Sequence, residues 1–186
     1  MVVEPIRDKK MVSKFLIYLK GTNERDFLLA KFQLNTGLRI SDVVQVKVSD
    51  LLTEGGRFRE YFTKSEQKTH KTTKIKLNDE LKKTIKSYIE VFKLRNDDYL
   101  FASRKGGCIS TTQAYRVLKA AADALGIEHF GTHSLRKTFG YWTYKESKYN
   151  IGLIMDIFNH TSQSMTLLYI GINQEQKDKL YSVVSF

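Results

Sequence analysis

Several side chains in this sequence are of the types that hold, protonate or attack a phosphate, and each has a setting worth weighing. Arg39 follows Asn35-Thr36-Gly37, and lysines crowd the run from Lys64 to Lys76. His133 and Arg136 stand at i and i+3 on one side of a helix start, where free N–H groups and a partial positive charge suit an anion. His160 adjoins an apolar stretch, and Tyr169 lies nine residues further on (169 − 160). Taken singly, each also has an ordinary structural role. Arg39 fits a surface ion pair, the lysines a solvated hairpin face, His133 a helix cap and His160 a structural histidine. Tyr169 is one of 10 tyrosines.

The elements that must position these residues are mostly helical. Apolar spacing predicts a helix over residues 8–20, ended by Gly21, and a second one capped by Thr22 or Asn23 and carrying Phe27, Leu28, Ala30 and Leu34. Asn35-Thr36-Gly37 reads as a turn, followed by a short helical piece from Arg39 to Val46. After the Gly55-Gly56 loop, the alternation in residues 57–64 and 71–77 favours two strands joined by the polar run Ser65 to His70. Asn78 or Asp79 caps the next helix, and Ser110 or Thr111 caps an alanine-rich one ending near Gly126. Further helices are expected over 133–145, 150–159 and 164–171, then a short helix and tail.

The balance of charge narrows the partner. With 31 Lys and Arg against 20 Asp and Glu, the chain carries a formal +11, which points to a polyanion and first to nucleic acid. The single cysteine, Cys108, excludes an intrachain disulfide and a multi-cysteine metal site. No Asp/Glu/His cluster has metal-ligand spacing and no Walker-type phosphate loop is present, so neither a metal nor another cofactor is expected. The charged N-terminus lacks a secretory apolar region, and no run approaches the roughly 18 apolar residues of a membrane span. The expected setting is the cytoplasm, without membrane association.

Order and context change the weight of the single residues. N-T-G-L-R-I-S-D at 35–42, Q-K-T-H-K at 67–71, T-H-S-L-R-K at 132–137, F-N-H at 158–160 and L-Y-I-G at 168–171 occur together. This series resembles the tyrosine recombinase, or phage-integrase, family over residues 8 to 172. The most specific pieces are TGLRISD and THSLRKTFG, and the step from His160 to Tyr169 also matches.

The resemblance implies the catalytic-domain fold of that family, mainly α with a small antiparallel β-sheet (α+β). It implies cleavage and rejoining of double-stranded DNA through a 3′-phosphotyrosyl intermediate, without metal or ATP. Tyr169 would be the nucleophile, and Arg39 and Arg136 would clamp the non-bridging oxygens with planar, permanently charged forks. His133 would exchange the phenol proton, His160 would hydrogen-bond the scissile phosphate, and Asp42 would hold Arg39 in place. Lys68 best matches the lysine that protonates the leaving 5′ oxygen. Because His70 stands where the family often has glycine, Lys71 is the alternative. Asn159 replaces the usual glycine before the second histidine, and asparagine tolerates left-handed backbone.

Lys64, Lys71, Lys74, Lys76, Arg104, Lys105, Lys137 and Lys145 are the candidates for the wider DNA footprint. Residues 1–172 are expected to form the catalytic domain, without the family's N-terminal core-binding domain in this chain, and 173–186 a tail exchanged between subunits on DNA. The family further implies a bacterial, phage or mobile-element origin. A relaxing topoisomerase of similar chemistry and a non-catalytic DNA-binding regulator are the other readings the residues allow.

Overall fold

The computed structural model describes residues 3–65, 72–172 and 181–183. Its centre is a helix that is buried on nearly every side. α1 (Lys9–Thr22) buries only Phe15 and Leu19, a narrow stripe. α2 (Glu24–Thr36) instead buries Asp26, Phe27, Leu28, Leu29, Ala30, Phe32, Gln33 and Thr36. Polar as well as apolar positions of this helix are enclosed, so other elements must surround it. α1, α5 (Asp79–Phe92) and α7 (Ser134–Glu146) pack around it.

The expected end of α1 at Gly21 is corrected: the helix continues through Gly21 to Thr22, and Asn23 closes it by donating to Leu19 O. A glycine inside a helix costs about 1 kcal/mol but stops the chain only when it takes left-handed backbone, which Gly21 does not. The Asn23 side chain then accepts from the Arg25 and Asp26 amides, capping α2. Asn35 and Thr36, expected in a turn, are the last residues of α2, and the left-handed residue that ends it is Gly37 at φ +66°.

The helical piece expected over 39–46 divides in two. α3 (Ile40–Val43) is one turn, and α4 (Val48–Leu51), which no local pattern announced, follows Lys47. The first strand is shorter than the alternation suggested. β1 (Phe62–Ser65) pairs antiparallel with β2 (Thr72–Ile75), Phe62 opposite Ile75 and Ser65 opposite Thr72. Residues 57–61 are held elsewhere, with Arg59 donating its N–H to Leu51 O at 2.8 Å. Buried Phe62 anchors this hairpin by meeting Phe32 of α2 edge-on, ring centres 5.9 Å apart.

Side-chain caps open most of the remaining helices, those of α5 and α6 (Thr111–Ala124) at residues the sequence singled out. Asn78 caps α5, Ser110 caps α6 and Asn150 caps α8 (Ile151–Phe158). α9 (Gln163–Tyr169) is capped by Ser162. Ile154, Phe158 and Ile170 form a small apolar cluster of their own, apart from the main core around α2. α8 and α9 therefore rest on α7 through a satellite core. Gly140 makes the approach possible, because a Cβ there would fall 2.6 Å from the Phe158 ring and 2.8 Å from Ile170.

Candidate active site

The two arginines reach one place because a single turn is pinned from both sides. Gly37 donates its N–H to Gln33 O at 2.9 Å, and the buried Gln33 amide donates to Leu38 O at 3.1 Å. The Gly37 carbonyl accepts from the Arg136 guanidinium. Phe139 lies so close that a Cβ on Gly37 would sit 2.3 Å from its ring. Fixed this way, the turn delivers half-buried Arg39 to the head of α3. Arg136 is 5% exposed, stacks 4.2 Å from the Phe158 ring centre and also donates to Phe158 O at 3.4 Å. A charge this deep is held by carbonyls and a π face, which leaves it ready for an anion but expensive to remove.

The nucleophile candidate lies beside it. The Tyr169 hydroxyl is 3.2 Å from His133 Nδ1. His133 occupies the N-cap position of α7 without making a side-chain cap bond, and Ser134 Oγ accepts from the Gly131 amide instead. The imidazole is therefore not used as a cap. The His160 ring centre is 5.2 Å from that of Tyr169, and Phe158 backs the same ring at 5.5 Å. His160 Nδ1 lies 3.1 Å from Thr166 Oγ1. Asn159, just before it, has φ +55°, the left-handed conformation for which asparagine is suited.

The charges act in a consistent direction. Burial pushes the Tyr169 phenol above its ordinary range, while Arg136, within hydrogen-bonding reach, and Arg39 oppose that rise. Loss of enclosing solvent, then Arg136, Lys137 and Arg39, hold His133 below the usual histidine value. Loss of solvent, then Arg136 and Arg39, do the same to His160. A neutral His133 can accept the phenol proton, and the arginines favour the phenolate that results.

Arg39 and Arg136 also line a cleft of about 280 Å³ with Asp42, Lys64, Lys74 and Lys76. The hairpin and α7 thus wall the same cleft around the two arginines. Lys68 and Lys71 lie outside the described residues, as do 173–180 and 184–186 of the tail. Lys137 is half-buried, donates to Val3 O at 2.7 Å and stands 5.1 Å over the Tyr169 ring. Lys145 lies over the Tyr141 ring at 4.9 Å, and exposed Arg104 and Lys105 lie on a turn outside the cleft lining. Among the described residues no three His, Cys, Asp or Glu side chains come together to hold a metal ion, and no helix is long and apolar enough to cross a membrane.

Sequence reasoning missed Thr166, Phe158 and the segment 3–7. Ile6 donates to Thr138 Oγ1 at 2.8 Å and accepts from Trp142 Nε1 at 3.1 Å, so this segment laces onto α7. Arg7 continues to Gly171 O at 3.1 Å, two residues past Tyr169. Only the T-x-x-Y spacing at 166–169 offered any signal for Thr166.

A pinned arginine pair, two histidines and a half-buried tyrosine thus come together, and the comparisons with known proteins give the family to which such a chain belongs. The chain belongs to the phage integrase family, whose model matches residues 8–176. It is 39% identical over 183 residues to a probable integrase/recombinase of Bacillus subtilis (strain 168), covering 98% of this chain and 97% of that protein. It is 23% identical to the tyrosine recombinase XerH of Campylobacter jejuni, spanning 90% of this chain and 48% of that protein. The structure of XerH site-specific recombinase bound to difH substrate superposes with a TM-score of 0.71 at 20% identity, over 98% of this chain and 55% of that one. A lambda integrase dimer bound to a COC′ core site gives 0.69 at 19%, over 91% of this chain and 60% of that one. The fold is that of tyrosine recombinase catalytic domains.

Proposed function

We propose that this chain supplies the catalytic domain of a site-specific recombinase that cleaves and rejoins DNA through a 3′-phosphotyrosyl bond to Tyr169. The observation that carries the reading is the Tyr169 hydroxyl 3.2 Å from His133 Nδ1, beside Arg136. His133 takes the phenol proton as the oxygen attacks phosphorus. Arg39 and Arg136 stabilise the extra negative charge on the non-bridging oxygens, a contribution of about 3–4 kcal/mol for each such preorganised group. His160 meets the same phosphate, and Asp42 steadies Arg39. The departing 5′ oxygen takes its proton from Lys68 or Lys71, which lie in sequence between the two strands that flank the cleft. The bond energy is retained in the adduct, so religation needs no nucleotide cofactor.

Lys64, Lys74 and Lys76 on the hairpin are proposed to follow the DNA backbone across the cleft. Arg104, Lys105, Lys137 and Lys145 are proposed as more distant contributors, and the tail 173–186 as an exchanged segment in a self-associated complex on DNA. A cytoplasmic setting in a bacterium or its mobile elements fits these partners.

The test is covalent trapping on a library of nicked duplexes with a randomised core, where loss of the short fragment beyond the nick prevents religation. A detergent-resistant protein–DNA adduct, absent from Tyr169→Phe, is expected. Adduct formation that survives Tyr169→Phe contradicts the assignment.

A further inference from the structure

Thr166 stands three residues before Tyr169 on α9 and is fully buried. Its hydroxyl makes two contacts, 2.8 Å to Ser162 O and 3.1 Å to His160 Nδ1. A hydroxyl has one proton, and the Ser162 carbonyl can only accept. Donation to Ser162 O therefore obliges Thr166 Oγ1 to accept from the ring, so His160 Nδ1 carries a hydrogen. The neutral ring is then left with a bare Nε2, an acceptor. A phosphate oxygen is also an acceptor, and two acceptors cannot share a hydrogen bond.

Resting on the reading of Tyr169 as nucleophile and His160 as a phosphate contact, we propose that Thr166 is a positioning residue that fixes His160 in the Nδ1–H tautomer and thereby couples phosphate binding to uptake of one proton at His160 Nε2. The proton comes from solvent, and no covalent bond to carbon or phosphorus changes. His160 then meets the phosphate as an imidazolium, adding a positive charge to those of the two arginines. The groups that face or approach His160 agree with a ring that stays neutral until an anion arrives. Arg136 of α7 and Arg39 at the head of α3 repel a proton there. Tyr169 of α9, whose phenol is neutral, presents its ring 5.2 Å away, and its hydroxyl in turn lies 3.2 Å from Nδ1 of neutral His133. Asp42 and Lys64, Lys74 and Lys76 share the cleft with the two arginines. A phosphate supplies the negative charge that reverses the balance.

The arrangement also links two parts of the site. Because Thr166 and Tyr169 ride on the same helix, seating α9 sets the tyrosine and the histidine tautomer together. An undocked α9 releases both.

The experiment has two arms on the whole chain. In the first, nitrogen-15 labelled histidine is observed by long-range proton–nitrogen NMR above the His160 transition, then titrated with acid in the presence and absence of sulfate, an anion of fixed charge. Wild type is expected to show Nδ1 protonated and Nε2 bare, with the imidazolium forming at higher pH in sulfate. An Nε2–H tautomer, or a titration that sulfate leaves unmoved, overturns the proposal. In the second arm, single-turnover adduct formation on a trapped duplex is followed against pH. Thr166→Val is expected to slow it on the order of tenfold and to change its pH profile, with Thr166→Ser restoring both. A Thr166→Val protein with the wild-type rate and profile overturns the proposal. If wild type forms no adduct at all, the recombinase reading fails while the tautomer result still decides the role of Thr166.

Discussion

The chemistry of each candidate residue follows from what surrounds it. Arg136 is tied to two carbonyls and a ring face, so its replacement removes the proposed phosphate clamp together with the partner of the Gly37 and Phe158 carbonyls. Arg136→Lys keeps the charge but not the planar fork. It is expected to slow adduct formation by about 10²-fold or more in single-turnover assays. The histidines make a second prediction. Their folded values lie below the ordinary one, so the unfolded chain binds protons more readily as pH falls. Their stabilising contribution is full above the ordinary histidine value, about 6.5, and shrinks as pH drops through it toward the lower folded values. Denaturant midpoints measured from pH 7.5 to 5 should fall in wild type and fall less in a His133→Gln, His160→Gln double variant. Equal slopes contradict this.

At the scale of elements, glycine decides which surfaces touch. Gly37 needs left-handed backbone and has Phe139 against the space where a Cβ would be. Gly37→Ala is expected to cost about 2 kcal/mol or more, read as a lower denaturation midpoint. Gly140→Ala separates stability from activity. Its Cβ would force Phe158 and Ile170 away, and these belong to the satellite cluster rather than the core around α2. The expected result is a modest stability loss, about 1–3 kcal/mol, with a larger fall in adduct formation as α9 shifts from His133.

Capping chemistry was legible in the sequence because it is local. Asn23, Asn78 and Ser110 each satisfy amides within three residues of themselves. α4 was not legible, since its head is tied to the distant carbonyls of Asn96 and Asp98, and the end of α1 was missed because Gly21 stays within the helix. The order of Arg39, His133, Arg136, His160 and Tyr169 was legible, but not how they are held. Thr166, Phe158 and the lacing of residues 3–7 to α7 depend on distant pairings that one chain's pattern does not display.

For the whole molecule, the formal +11 gains meaning from its placement, with Lys64, Lys74 and Lys76 on the cleft wall that faces the arginines. Each phosphate that a lysine neutralises releases counterions, so affinity for an unrelated duplex should fall linearly on a log–log plot against salt. Replacing these three lysines by alanine is expected to reduce the slope by about 1 for each phosphate no longer neutralised, measured by fluorescence anisotropy. An unchanged slope would remove the hairpin from the footprint.

One atom, the Tyr169 phenol oxygen, bears the greatest weight in this mechanism. Tryptic digestion of the trapped adduct, followed by mass analysis of the DNA-linked peptide, identifies the residue that holds the phosphate. The predicted result is a 3′-phosphate on Tyr169 within the peptide spanning 149–177. A 5′-linkage, or attachment to any other residue, contradicts it.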